Sequence, residues 1–119
     1  MPNYMLFLHQ DLERPRPAAP DDFMPMIKEY AEWADKMRSA GHMKGGEKLA
    51  DDAGRVIRHK GGRITVTDGP YAESKELVGG YFVLSAKDYD EVCQLAESCP
   101  HLKFGGRIEI RQIEGMANG

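Results

Sequence analysis

The segment from Asn3 to His9 most constrains the fold, because it has the pattern of a β-strand with two largely apolar faces. Side chains of a strand alternate between its faces. One face therefore carries Tyr4, Leu6 and Leu8, and the other carries Met5, Phe7 and His9. Such a strand belongs inside a sheet that is covered on both sides.

Two helices are predicted, and they can cover only one side of such a sheet. The first begins near Asp21 or Asp22, which can cap backbone N–H groups, and Gly41 ends it. The segment Ser85-Ala86-Lys87-Asp88 opens the second, which stops at Pro100. Apolar residues of the first helix follow helical spacing and predict a core stripe: Phe23, Met26, Ile27, Tyr30, Trp33, Ala34 and Met37. We expect a second copy of the chain to cover the other side of the sheet.

Four more extended segments complete the pattern. They are 42–49, with a bulge or close backbone approach at Gly45-Gly46, the hairpin 55–68 around Gly61-Gly62, 77–85 and 107–113. The order is β-α-β, an inserted hairpin, then β-α-β. It predicts one α+β domain over residues 1–119, ferredoxin-like, with an antiparallel sheet and a frayed tail at 114–119.

The hairpin register identifies the carboxylate of Asp68 as a candidate site residue. The turn at Gly61-Gly62 sets Arg55 opposite Asp68, and the shared face also carries Ile57, Val66, His59 and Ile64. We expect Arg55 to pair with Asp68 and keep it ionised. A carboxylate on an apolar face must be satisfied by something specific, so Asp68 is a candidate general base.

The loop that follows Asp68 is rich in groups for acid–base chemistry. Glu73 and Glu76 add carboxylates, and Lys75 adds a cation that steadies an anion. The alternative is structural, because an acidic loop that caps its own turns and pairs Lys75 with a neighbouring glutamate has the same sequence. Nothing in the chain demands a metal, a nucleotide or a flavin, so we predict no cofactor.

The same residues carry a family resemblance. Asp68-Gly69-Pro70-Tyr71-Ala72-Glu73-Ser74-Lys75-Glu76, followed by Gly79-Gly80-Tyr81, resembles the signature of the DGPF-type branch of the YCII-related proteins. The looser resemblance runs from about Tyr4 to Ile113. It implies a ferredoxin-like subunit that dimerises into an α+β barrel, and it implies no particular reaction.

The resemblance also bears on the catalytic residues. Other YCII-related branches use a histidine within the first helix and an aspartate near its end as an acid–base pair, and the matching places here hold Tyr30 and Ser39. That pair is therefore absent. Tyr30 remains a candidate weak acid or hydrogen-bond partner for a ligand. His9 is a candidate to take the place of the missing histidine in the folded protein. For His9 the structural alternative is a histidine at a strand end, bonded to backbone or water.

Composition excludes two classes of partner. Sixteen lysines and arginines against nineteen aspartates and glutamates leave a net charge of −3, which argues against a nucleic-acid partner. The apolar run Met5-Leu6-Phe7-Leu8 is too short to span a membrane and lacks a basic segment before it. We expect a cytoplasmic protein with no membrane partner.

The sequence thus predicts a homodimer that binds a small molecule in an acid–base cleft. The candidate catalytic residues are Asp68, His9 and Tyr30, and the candidate ligand-binding residues are Trp33, Glu73, Lys75, Glu76, Gly80 and Tyr81. The alternative is a non-catalytic sensor or accessory protein, because the resemblance links some DGPF-type proteins to sigma factors and transcription.

Overall fold

The first strand lies in the interior of a four-stranded antiparallel sheet, as its two apolar faces predict. The structure, a computed structural model, describes residues 1–11, 20–52, 54–68 and 76–115. In chain order the elements are β1 (Asn3–Asp11), α1 (Pro20–Ser39), β2 (Met43–Lys48), β3 (Arg55–Lys60), β4 (Arg63–Asp68), β5 (Glu76–Ser85), α2 (Tyr89–Glu97), α3 (Pro100–Lys103) and β6 (Arg107–Ile113).

The order of the strands confirms the ferredoxin-like prediction. The main sheet runs β2-β5-β1-β6, and β1 pairs antiparallel with both β5 and β6. This is the order that a split β-α-β pair produces when each crossover returns its strand to the same sheet. The hairpin β3-β4 forms a separate two-stranded sheet.

One face of the main sheet packs against the helices and holds the core. The core cluster joins Tyr4 and Leu6 of β1, and Leu84 of β5, to side chains of α1 and α2. Those helix residues include Trp33, Met37, Val92 and Ala96. The Trp33 indole N–H donates to the Ser98 hydroxyl at 2.9 Å, so its one polar atom is satisfied where it is buried.

The opposite face of the main sheet is called the open face below. The β1–β5 register places Met5 opposite Val83 and Phe7 opposite Tyr81, on the side away from Leu6. These four residues are half-buried, and the core cluster of the described residues contains none of them. The helices therefore cover one face of β1, and the expected cover of the other face by a second copy stays a prediction.

The hairpin and the second strand have the predicted registers. Arg55 lies opposite Asp68, Ile57 opposite Val66 and His59 opposite Ile64. The β2–β5 register shifts between Met43 and Gly45, which confirms the predicted irregularity at the paired glycines. Gly61 and Gly62 both have positive φ, as a two-residue hairpin turn requires.

Two boundaries differ from the prediction. Helix α1 begins at Pro20, so Pro25 lies in the second turn rather than the first. A short helix, α3, follows where a connection was expected, because Pro100 occupies its first position instead of only ending α2. Proline suits the first helical position, where its missing N–H has no partner to lose.

Truncating a core side chain should lower the free energy of unfolding far more than truncating a surface side chain. Leu84 is fully buried, so Leu84→Ala should lower the free energy of unfolding by about 2–5 kcal/mol through lost burial and a residual cavity. Leu49→Ala is the matched control, because Leu49 is 43% exposed, and should cost less than about 1 kcal/mol. Urea unfolding measures both; equal losses would contradict the assigned core.

Candidate active site

A pocket of about 540 Å³ opens between α1, α3 and one end of the main sheet. Its apolar lining comes from Leu8, Met26, Ile27, Ala31, Ala34, Phe82 and Phe104. Its polar lining includes Gln10, Asp11, Tyr30, Glu47, Lys48, Asp51 and His101. A mostly apolar cavity of this size with a few convergent polar groups is typical of a small-molecule site.

Glycine makes room on the sheet side of the pocket. A Cβ on Gly80 would lie 2.9 Å from the carbonyl oxygen of Glu47 on the neighbouring strand, closer than a side chain tolerates. Gly80 therefore lets β2 and β5 approach each other at the pocket. This is the residue that the sequence proposed for ligand binding, and it does line the cavity.

The polar centre of the pocket is a hydrogen-bonded chain from α1 through α3 to β1. The Tyr30 hydroxyl lies 3.0 Å from Nδ1 of His101, and Nε2 of His101 lies 2.8 Å from the carbonyl oxygen of His9. A carbonyl only accepts, so Nε2 carries the proton of the neutral ring and donates it to His9. Nδ1 then accepts the hydrogen bond from the Tyr30 hydroxyl.

Burial keeps both members of this pair uncharged. It lowers the pKa of His101, which disfavours the imidazolium. It also raises the pKa of Tyr30, and the nearby Cys99 and Glu29 raise it further. At neutral pH the pair is therefore a protonated tyrosine that donates to a neutral imidazole. A tyrosine oxygen accepts as well as donates, so this pair is suited to passing a proton between a ligand and the imidazole.

Sequence reasoning missed His101. The residue lies in α3, four residues long, in a region that was expected to connect α2 to the last strand. The available signal was Pro100 at the first helical position, with histidine next to it. Gly106 supports the same site: a Cβ there would collide with the His101 imidazole, so only glycine leaves room for the ring.

His9 belongs to the open face rather than to the pocket. Its Nε2 lies 2.9 Å from Oε1 of Glu109, and its Nδ1 lies 3.3 Å from Oε1 of Glu76. Arg107 Nη2 lies 2.5 Å from the same Glu76 oxygen. His9 reaches the pocket only through its main-chain carbonyl, which binds His101.

The remaining candidates from the sequence fall into three places. Tyr30 and Gly80 line the pocket, and Tyr81 borders it while its side chain lies on the open face. Trp33 lies in the core, 5% exposed, and Asp68 lies on the hairpin with its side chain 80% exposed. Glu73 and Lys75 lie outside the described residues. The expected pair of Asp68 with Arg55 is present at 3.3 Å, but the hairpin's apolar face is exposed, so this carboxylate is solvated rather than buried.

Charged residues border the pocket as well: Asp11, Glu47, Lys48 and Asp51. The β2–β5 register sets Glu47 opposite Tyr81, so the Glu47 side chain lies on the open face rather than in the pocket. Within the described part of the chain Lys48 is the one cation that lines the cavity, and its ammonium lies 3.3 Å from Oδ1 of Asp51. The described residues contain no cluster of three or more histidine, cysteine, aspartate or glutamate side chains that would hold a metal ion.

Comparison with known proteins identifies the family. The sequence profile of the YCII-related domain matches residues 5–117, so this chain belongs to the YCII-related family. None of the described helices is long and apolar enough to cross a membrane.

A curated relative and a solved structure are also similar to this chain. The chain is 31% identical over 62 residues to the uncharacterised protein R00369 of Rhizobium meliloti strain 1021. That alignment covers 51% of this chain and spans about half of the relative, 50% of its length. The fold is similar to 5-chloro-2-hydroxyhydroquinone dehydrochlorinase (TftG) from Burkholderia phenoliruptrix AC1100, solved with 2,5-dihydroxybenzoquinone. The TM-score is 0.53, with 13% identity, over 98% of this chain and 97% of that one, which shows a shared fold.

The burial of His101 predicts a dependence of stability on pH. Its pKa is lowered in the folded state, so below the unfolded value of about 6.5 the unfolded chain binds the proton first. The free energy of unfolding should then fall as the pH falls, by at most about 1.4 kcal/mol per pH unit from this group. Between pH 7.5 and 5.5 the free energy of unfolding, measured with urea, should decrease less in His101→Gln than in the wild type. His59→Gln, which removes an exposed histidine, should keep the wild-type slope; equal slopes in all three proteins would refute the assignment.

The open face offers a second electrostatic test. A hydrogen bond from Arg107 lowers the pKa of Glu76. Arg107→Gln removes the cation, so the pKa of Glu76 should rise towards its ordinary value in a carboxyl NMR titration. Arg111→Gln removes another exposed arginine from the same strand and should leave the titration unchanged. A similar rise in both variants would mean that the pKa of Glu76 responds to the net charge of the protein and not to its pairing with Arg107.

Proposed function

We propose that this protein binds a small aromatic compound that carries a hydroxyl group, and that Tyr30 and His101 are its acid–base pair. The observation that carries the proposal is the hydrogen bond between Tyr30 and His101 at the wall of a largely apolar pocket. Both groups are neutral there, and the tautomer of His101 is fixed by the His9 carbonyl.

The proposed step is a proton relay. The ligand hydroxyl gives its proton to the Tyr30 oxygen while the Tyr30 proton moves to Nδ1 of His101. The products are a ligand oxyanion, a neutral Tyr30 and an imidazolium that keeps its Nε2–H on the His9 carbonyl. Burial disfavours the imidazolium charge and lowers the pKa of His101, so this ion is a stronger acid than an ordinary imidazolium and returns the proton readily.

The lining supports an aromatic ligand. Phe82 and Phe104 line the cavity together with the Tyr30 ring. Aromatic side chains pack favourably on planar rings in offset or edge-on arrangements. The dehydrochlorinase of similar fold was solved with a dihydroxybenzoquinone, a planar six-membered ring that also carries hydroxyl groups. At 13% identity that likeness concerns the fold, so the reaction of this chain is a separate question.

The dimer is part of the proposal. Met5, Phe7, Tyr81 and Val83 give the open face an apolar surface that no helix of the described core covers. A twofold copy that packs its own open face on this one would bury both. The residues from Asp68 to Glu76 favour the DGPF-type branch of the family, and the cytoplasmic location remains a prediction from the sequence.

A second candidate is a non-catalytic sensor or accessory protein. The observation that favours it is the hairpin, whose apolar side chains Ile57, Ile64 and Val66 are 60% to 68% exposed. Exposed apolar clusters mark interaction sites. In this candidate the pocket binds the same class of ligand, but no proton is transferred to a reacting atom.

Binding is tested by the thermal shift of the wild-type protein with phenols, hydroquinones and hydroxyquinones. A ligand that binds the native state raises the melting temperature. Tyr30→Phe keeps the ring and removes the hydroxyl, so it should weaken binding by about tenfold, the effect of one hydrogen bond. Tyr89→Phe is the control, because Tyr89 packs on Tyr4 outside the pocket, and should bind as wild type. If none of these compounds raises the melting temperature, the proposal is overturned.

Proton transfer is tested separately on a ligand that binds. Removing a hydroxyl proton enriches the adjacent ring carbons in electron density, so their hydrogens exchange with deuterium in heavy water. The wild-type protein should accelerate this exchange, measured by proton NMR, and Tyr30→Phe should slow it by about 100-fold or more. Binding without accelerated exchange would favour the sensor and reject the catalytic role.

A further inference from the structure

Strand β5 carries one more residue than β1 where the two strands pass the pocket. Leu8 lies opposite Gly80 and His9 lies opposite Val78, so Gly79 has no partner on β1. An extra residue of this kind is a β-bulge, and a bulge beside a site re-aims side chains. This bulge falls on two consecutive glycines, and both of them line the pocket.

The side chain of Gln10 occupies the space that Gly79 leaves. A Cβ on Gly79 would collide with the Gln10 carboxamide and would lie 3.0 Å from the Gln10 Cγ. Side chains alternate along a strand, so Gln10 shares a face of β1 with the buried Leu8, and both residues line the pocket. The carboxamide therefore rests on the bare backbone of β5, on the sheet side of the pocket.

The pocket thus has polar groups on both sides of β1. The His101 ring packs on Gly106, which directly precedes β6, and it binds the His9 carbonyl. The Gln10 carboxamide packs on Gly79 of β5. Strands β5 and β6 flank β1 in the sheet. The acid–base pair and the carboxamide therefore lie towards opposite neighbours of the central strand, and a ligand between them has a polar group at each end.

We infer that the Gln10 carboxamide binds a second oxygen of the ligand and selects rings that carry two oxygen substituents over rings that carry one. The inference rests on the proposed function, which places the first hydroxyl at Tyr30. A carboxamide has two N–H donors and an acceptor oxygen, so it binds a hydroxyl or a carbonyl group. This capacity lets it bind a ligand while it keeps a contact with the protein.

Selection follows from the cost of leaving the carboxamide unsatisfied. A ring with a methyl group in place of the second oxygen would cover the carboxamide without bonding to it. A covered polar group that has lost its water and found no partner weakens binding. Sites that hydrogen-bond a ligand hydroxyl therefore reject the analogue that lacks it more strongly than apolar pockets reject a change of size.

The test compares hydroquinone with para-cresol, in which a methyl group replaces one hydroxyl. Calorimetric titration in the absence of oxygen gives the two dissociation constants, and their ratio cancels changes in packing that affect both compounds. Gln10→Met keeps the length of the side chain and removes the carboxamide, so the preference for hydroquinone should fall about tenfold, the effect of one hydrogen bond. Gln112→Met is the control, because Gln112 is exposed and lies opposite Tyr4, at the other end of β1. It should keep the wild-type ratio.

Gly79→Ala tests the same contact from the other strand. The added Cβ meets the end of a flexible side chain, so the carboxamide has to move while the strand can stay. The ratio should fall as in Gln10→Met. In Gly45→Ala, the control, the Cβ meets nothing within 4 Å, and the ratio should not change.

The outcomes separate this inference from the proposed function. An unchanged ratio in Gln10→Met or in Gly79→Ala would overturn the inference, although binding to Tyr30 would stand. An equal fall in the control variants would also overturn it. If the wild-type protein binds neither compound, the proposed function fails, and the inference fails with it.

Discussion

The hydrogen bonds of His101 are the interactions on which the pocket depends. One ring nitrogen binds the central strand through the His9 carbonyl, and the other accepts from Tyr30 of the long helix. Helix α3 has only four residues, too few to be stable by its own backbone hydrogen bonds. It is held by what its one buried histidine contacts. If either bond is lost, a buried polar group is left without a partner, which costs about 1–3 kcal/mol.

Residue 9 connects the two faces of the sheet. Its carbonyl accepts from His101 at the pocket, while its imidazole lies between Glu76 and Glu109 on the open face. The β1–β5 register shifts between Leu8 and His9, and a bulge bends a strand locally. A change in packing at the open face, where we propose the partner subunit, would therefore move the carbonyl that fixes the tautomer in the pocket. The proposed dimer and the proposed acid–base site therefore share residue 9.

The sequence predicted what depends on local pattern and failed where distant segments meet. Alternating apolar residues predicted β1, and Gly61-Gly62 predicted the hairpin register correctly. The site combines residues 30, 80 and 101, which no local pattern relates. Asp68 was favoured because the apolar face of the hairpin was assumed to be buried, whereas it is exposed. His101 was missed because Pro100 was taken to end a helix when it also begins one.

The electrostatics of the pocket restrict the ligand further than its shape does. Among the described residues that line the pocket, Lys48 is paired with Asp51, and the acid–base pair inside is neutral. An anionic ligand would lose its hydration inside this mostly apolar cavity, and among the described lining residues it would meet no lysine or arginine that is not already paired with a carboxylate. An uncharged hydroxyl compound meets neither cost. The oxyanion of the proposed relay would meet both costs, so the same environment that favours a neutral ligand would favour return of the proton or release of the product.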